Sequence, residues 1–207
     1  MNEWPQLLRA ALDAMSAAEG LAVVLAVAYL LLAAREHIAC WACALVSTAI
    51  YTVLFWDVRL LMEAALSVYY MAMAVYGWQQ WRYGGTAHQG VTIRTLTLRQ
   101  HFAILATVAV LTLVSGALLS GKSTAAWPYV DSFTTWASVI TTVLVAKKYL
   151  ENWLYWFVID SVSIPLYLDR GLYLTAALFA VYLVIVVFGY LSWQRHMSTR
   201  TTGTVHA

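Results

Sequence analysis

Seven apolar stretches, each close to 20 residues and separated by short polar or charged breaks, constrain this chain more than any motif in it. They lie at about 19–34, 37–55, 60–81, 101–119, 131–147, 149–168 and 172–193. A helix of about 20 apolar residues is what the hydrocarbon core of a bilayer demands. Only 11% of the 207 residues are charged, against 62% hydrophobic. A soluble domain normally has about a quarter of its residues charged. The reading is an all-α membrane protein with seven transmembrane helices. Net charge is +2 with the basic residues at segment ends, so no basic patch offers a surface to nucleic acid.

The first residues lack the basic start and purely apolar run of a cleavable signal peptide. Trp4, Leu7, Leu8, Ala11, Leu12 and Met15 recur at helical spacing opposite Glu3, Gln6, Arg9 and Asp13. That pattern predicts an interfacial amphipathic helix over 1–18.

The chain also repeats itself. Residues 41–82 aligned without gaps on 153–194, an offset of 112, give 12 identities in 42 positions. They include Trp41/Trp153, Asp57/Asp169, Tyr70/Tyr182, Gly77/Gly189 and Trp81/Trp193. Shared apolar composition accounts for matched Leu or Val but not for matched Trp, Asp, Tyr and Gly. An offset of four spans sends both triplets across the membrane in the same direction. The expected plan is 3+1+3 parallel repeats, as in SWEET-type transporters. The first three-helix repeat covers 19–82, a cytoplasmic loop and linker helix cover 83–130, the second repeat covers 131–195, and a cytoplasmic tail covers 196–207. Residues 82–100, RYGGTAHQGVTIRTLTLRQ, read as a loop.

Orientation follows from eight cations on one side (Arg35, Arg82, Arg94, Arg99, Lys147, Lys148, Arg195, Arg200) against four on the other (Arg9, Arg59, Lys122, Arg170). Basic loops face the cytoplasm, giving N-out/C-in. The segment GALLSGKS (116–123) matches the phosphate-loop pattern, but that pattern needs a strand before it and a helix after it. Here it ends an apolar span and faces outside, so the match is coincidental.

Chemistry concentrates on the sixth span. Asn152, Trp153, Trp156, Asp160, Ser163 and Tyr167 fall within roughly 100° of helical arc. Asp160 lies near the bilayer midplane, where an ionisable group usually faces a cavity or a partner. Pro165 frees a backbone carbonyl nearby. Thr134, Ser138, Thr141 and Thr142 form a second polar face on the fifth span, and the repeat-related Tyr70 and Tyr182 complete the candidate set. Trp56, Trp78, Trp81, Trp127 and Trp193 read as interfacial belt residues, and Gly77 and Gly189 as close helix contacts. Cys40 and Cys43 form a C-x-x-C inside an apolar span, where cysteine is an ordinary small residue. No reactive cluster points to an enzyme, and no metal or cofactor is expected. A scaffold or sensor would have only the 82–100 loop as a soluble surface.

The stretches ENWLYWFVIDSVSIPLY (151–167), GLYLTAALF (171–179) and YGWQQWR (76–82) resemble the PnuC family of bacterial vitamin transporters. The most specific part is N-W-x-x-W, here Asn152, Trp153 and Trp156. The resemblance covers nearly the whole chain beyond residue 18. It implies a SWEET-like bundle in the bacterial inner membrane that imports nicotinamide riboside by facilitated diffusion. Cytosolic phosphorylation then traps the substrate, so the transporter needs no ATP. Related members carry thiamine or riboflavin. The partners expected are therefore a small vitamin, the lipid bilayer and, in a homotrimer, further copies of the chain.

Overall fold

A computed structural model describes residues 15–57, 59, 61–86, 88–120 and 127–203, and these form seven helices. They are α1 (Ala17–Ala34), α2 (Cys40–Asp57), α3 (Leu61–Tyr83), α4 (Leu98–Ser120), α5 (Pro128–Ala146), α6 (Asn152–Asp169) and α7 (Tyr173–Gly203). Most of the expected N-terminal amphipathic helix, and the GKS end of the phosphate-loop match, lie outside the described residues. Gly116, the first glycine of that match, sits inside α4 with the Tyr129 ring against it. It is a packing glycine within a helix.

Local chemistry sets the helix ends. Ser16 caps α1, its hydroxyl accepting from the Glu19 N–H at 3.1 Å, which satisfies one of the free donors of the first turn. Pro128 opens α5, where a missing N–H costs nothing. α1 and α5 end in matching turns. Glu36 and Lys148 take left-handed backbone conformations, with φ of 54° and 53°. His37 N–H then donates back to Leu32 O (2.9 Å) and Tyr149 N–H to Leu144 O (3.0 Å). The next connections match as well, with Arg59 at φ 64° and Gly171 at φ 72°. All four positions obey the offset of 112.

Six helices close a ring. α1 packs on α2, α2 on α3, α3 on α5, α5 on α6, α6 on α7, and α7 returns to α1. α4 stands outside, packed on α5, with Trp136 Nε1 donating to Ser115 Oγ at 3.1 Å. Among the described residues α1, α2, α4 and α7 are long and apolar enough to cross a membrane. α3, α5 and α6 are more polar because they carry Ser67, Ser132, Thr141, Thr142, Asn152, Asp160 and Ser163, all buried within the protein.

The core is aromatic. Trp41, Trp81, Trp153 and Trp193 are 2%, 7%, 1% and 0% exposed. Trp41–Trp81 and Trp153–Trp193 meet edge to face at 5.4 and 5.5 Å, and Trp81–Trp193 joins the two pairs at 6.0 Å. Trp81 and Trp193 are thus core residues and not the belt residues expected of them; Trp56, Trp78 and Trp127 are exposed. Trp81 Nε1 donates to Val145 O (3.3 Å) and Trp193 Nε1 to Ala33 O (2.9 Å). Each indole thereby ties its own half of the chain to the other. Gly77 and Gly189 make room for the cluster: a Cβ on Gly77 would overlap the Trp41 indole, and one on Gly189 would lie 2.7 Å from three ring carbons of Trp153.

Two expected boundaries change. The 82–100 segment is no free loop. Arg94 N–H donates to Lys148 O (3.0 Å), Leu150 N–H to Arg94 O (2.8 Å) and Leu96 N–H to Glu151 Oε2 (3.0 Å). The Arg94 guanidinium lies 4.3 Å from the centre of the Tyr149 ring, and Val91 and Ile93 pack on the core. At the other end α7 continues through Gly203, so residues 196–203 are helix where a tail was expected.

Candidate substrate-binding site

α6 spreads its expected site residues over two environments. Asn152 and Trp153 lie in its first turn, buried at the aromatic core. Asn152 Nδ2 donates to Tyr149 O at 2.6 Å, while its Oδ1 and Trp153 Nε1 are buried with no hydrogen-bond partner among the described residues. Trp156, a turn further, is half-buried and touches both this core and a second cluster of Val108, Ala137 and Ile159.

Asp160 is 3% exposed. It lies within electrostatic reach of Tyr167 on its own helix and Tyr182 on α7. Tyr167 also lies within electrostatic reach of Tyr70 on α3, which is near Ser138 on α5. Asp160, Tyr167, Tyr182, Tyr70 and Ser138 therefore come together from four helices of the ring.

The remaining hydroxyls are used locally. Ser163 Oγ donates to Ile159 O (2.8 Å), Thr142 Oγ1 to Ser138 O (2.8 Å) and Thr134 Oγ1 to Asp131 O (3.0 Å). Such bonds to the carbonyl three or four residues back are a local alternative open to Ser and Thr in a helix. Thr141 is buried, 1% exposed. Pro165 leaves the Ser161 carbonyl without its helical donor, but both residues are exposed, so the gap opens on the outer surface and not into the ring.

Sequence reasoning missed three residues. Tyr29 on α1 is near Tyr70, Tyr51 on α2 is near Tyr182, and Tyr69 on α3 donates to Val139 O at 2.8 Å. All three are half-buried. A signal for two of them was present: Tyr29 and Tyr51 are the offset-112 mates of Thr141 and Ser163. Carrying the polar positions of the second repeat back onto the first finds them. Tyrosines from both halves thus lie near one another, with the Asp160 carboxylate within reach of Tyr167 and Tyr182.

Two concavities open on the surface. One, of about 390 Å³, is lined by Arg35, Glu36, Lys148, His196 and Thr199; the other, of about 260 Å³, lies between α6 and α7 beside Leu154, Phe157 and Val187. Neither contains Asp160 or its tyrosines.

A family model described as nicotinamide mononucleotide transporter matches residues 16–195. The chain belongs to this family. Among its curated relatives is the nicotinamide riboside transporter PnuC of Escherichia coli K12, 22% identical over 187 residues that cover 78% of each chain. The PnuC of Neisseria mucosa is 27% identical over 164 residues, covering 73% of this chain and 62% of that one. The riboflavin/roseoflavin transporter RibM of Streptomyces davaonensis is 28% identical over 126 residues, 59% of each chain. The crystal structure of the vitamin B3 transporter PnuC superposes with a TM-score of 0.70 at 24% identity, covering 93% of this chain and 88% of the other. The fold is that of PnuC. These are transporters and not enzymes, and the PnuC resemblance carried by Asn152, Trp153 and Trp156 is thereby shown at the level of the family.

Proposed function

We propose that the chain imports nicotinamide riboside by facilitated diffusion through the interior of its six-helix ring. Asp160 carries the reading. A buried carboxyl within electrostatic reach of Tyr167 and Tyr182 suits a small ligand with a cationic aromatic ring and hydroxyl groups. Contact of a cation with an aromatic face contributes about 0.5–2 kcal/mol, and an opposing charge in a low-dielectric cavity selects for cations. In this reading Tyr70, Ser138 and Thr141 supply hydroxyl partners. The name of the Escherichia coli relative supports the substrate.

The architecture proposed with it is the SWEET-like 3+1+3 bundle in the inner membrane, N-out/C-in. Support comes from the matching turns at Glu36 and Lys148, the reciprocal Trp81 and Trp193 bonds, and ring contacts that recur in both halves. The short connections after α1, α2, α5 and α6 make hairpins of neighbouring helices. Each of α3, α5 and α6 then crosses the membrane beside a partner, its polar face turned inward.

A second reading, riboflavin, is favoured by the identity to RibM; thiamine, also cationic, is the third. Calorimetry of the purified protein with all three vitamins, followed by uptake into vesicles, tests the assignment. Tightest binding of nicotinamide riboside is expected. Riboflavin binding more tightly than either cation would transfer the assignment to flavins.

A further inference from the structure

The polar contacts between the two halves of the ring are unevenly placed along it. Among the described residues they begin midway, with Tyr69 donating to Val139 O. They then run to the end that carries the α1–α2 and α5–α6 turns. There Trp81 donates to Val145 O and Trp193 to Ala33 O, and Lys148 Nζ donates to Glu36 Oε2 at 2.9 Å. Glu36 Oε1 also bonds His196 Nδ1 at 2.8 Å, and the Lys148 ammonium lies 4.4 Å from the centre of the Trp81 ring. The Lys148 and Glu36 side chains are only 9% and 10% exposed, at the floor of the 390 Å³ concavity. A solute inside the ring can leave by this end only if these groups part.

We propose that Glu36 and Lys148 are the latch of a gate at this end of the ring. Their ion pair holds the halves together while the interior is sealed on that side. Opening separates the pair and the two indole–carbonyl bonds, and each half keeps its own turn intact. An ion pair buried against an indole suits the task. Breaking it by removing one partner is costly, because a buried charge is left alone. Parting it in an open mouth returns both charges to water.

The two positions share one backbone conformation, with φ of 54° and 53°, so each already accommodates the left-handed turn that the other's side chain would enter. The charges can therefore be exchanged. In the full-length chain with Cys40→Ala and Cys43→Ala, Ser138→Cys reports access to the interior. An impermeant thiol reagent is applied to each membrane face separately. Glu36→Lys should raise labelling several-fold from the face bearing His196 and leave the other face unchanged. The exchanged pair, Glu36→Lys with Lys148→Glu, should return labelling to its starting level. If Glu36→Lys does not fold, Glu36→Gln keeps the size and supplies the same measurement. Unchanged labelling in a folded single variant, a rise from the opposite face, or an exchanged pair no better than the single change would each overturn the latch. Labelling needs no substrate, so its failure is distinct from failure of the nicotinamide riboside assignment.

Discussion

Glu36 and Lys148, 112 residues apart, occupy the same left-handed position in matching turns of the two halves and bond each other at 2.9 Å. Groups at corresponding positions that are also in contact lie where the two halves meet. The same correspondence runs through the indoles, since Trp81 bonds Val145 while Trp193 bonds Ala33. The end of the ring is therefore defined by side chains that each half lends to the other.

Gly77→Ala and Gly189→Ala should each destabilise the protein by about 1–3 kcal/mol, the usual cost of forcing an extra methyl into a packed core. The methyl would meet the Trp41 or the Trp153 indole. Gly20→Ala should be neutral or slightly stabilising, because its Cβ meets only the end of Met15 at 3.5 Å and alanine favours a helix. Melting temperatures of the three variants in lipid nanodiscs check the contrast.

Trp153→Ala and Trp156→Ala should separate stability from recognition. Trp153 is fully buried against Trp193 and Gly189, so its loss opens a cavity costing about 3–5 kcal/mol. Trp156 is half-buried, and its loss should lower affinity for the vitamin with a smaller drop in melting temperature. Calorimetry on the folded fraction together with thermal melting reads both; equal effects on affinity would put Trp153 in contact with the ligand.

Asp160→Asn removes the charge and preserves the shape of the buried group. Affinity for nicotinamide riboside and for thiamine should fall by about tenfold or more, equivalent to about 1.4 kcal/mol. Riboflavin, neutral in its ring, should change little. Unchanged affinity for both cations would assign Asp160 to helix packing.

Cysteines at the exposed positions Gln89 and Arg170 should report opposite faces in intact cells. With the N-out/C-in orientation, Arg170→Cys is reached by an impermeant reagent and Gln89→Cys only after permeabilisation. The reverse pattern would invert the orientation.

The helices and their order were legible because bilayer length and short connections leave few alternatives. Which helices neighbour one another was not legible in the sequence, since hydropathy shows how apolar a residue is and not which neighbour it faces. Trp193 illustrates the difference. Near a span end it has the sequence signature of a belt anchor, yet Gly189 one turn before it lets the indole of Trp153 approach and draws the cluster inward. Tyr29 and Tyr51 were overlooked because polar stripes were sought on one helix at a time, whereas the interior takes residues from six. The tether from Arg94 and Leu96 to the α5–α6 turn carried little signal, because its hydrogen bonds use backbone groups and a single Glu151 carboxylate.

The opposite charges at the two turns also govern which pieces of the chain can pair. Two copies of the first half would set Glu36 against Glu36, and two copies of the second would set Lys148 against Lys148, each a like-charged pair held away from water. Such contacts are strongly unfavourable. Halves expressed as separate polypeptides would therefore select each other over themselves, and the opposite charges at the two turns enforce the one-to-one pairing that the covalent link otherwise guarantees.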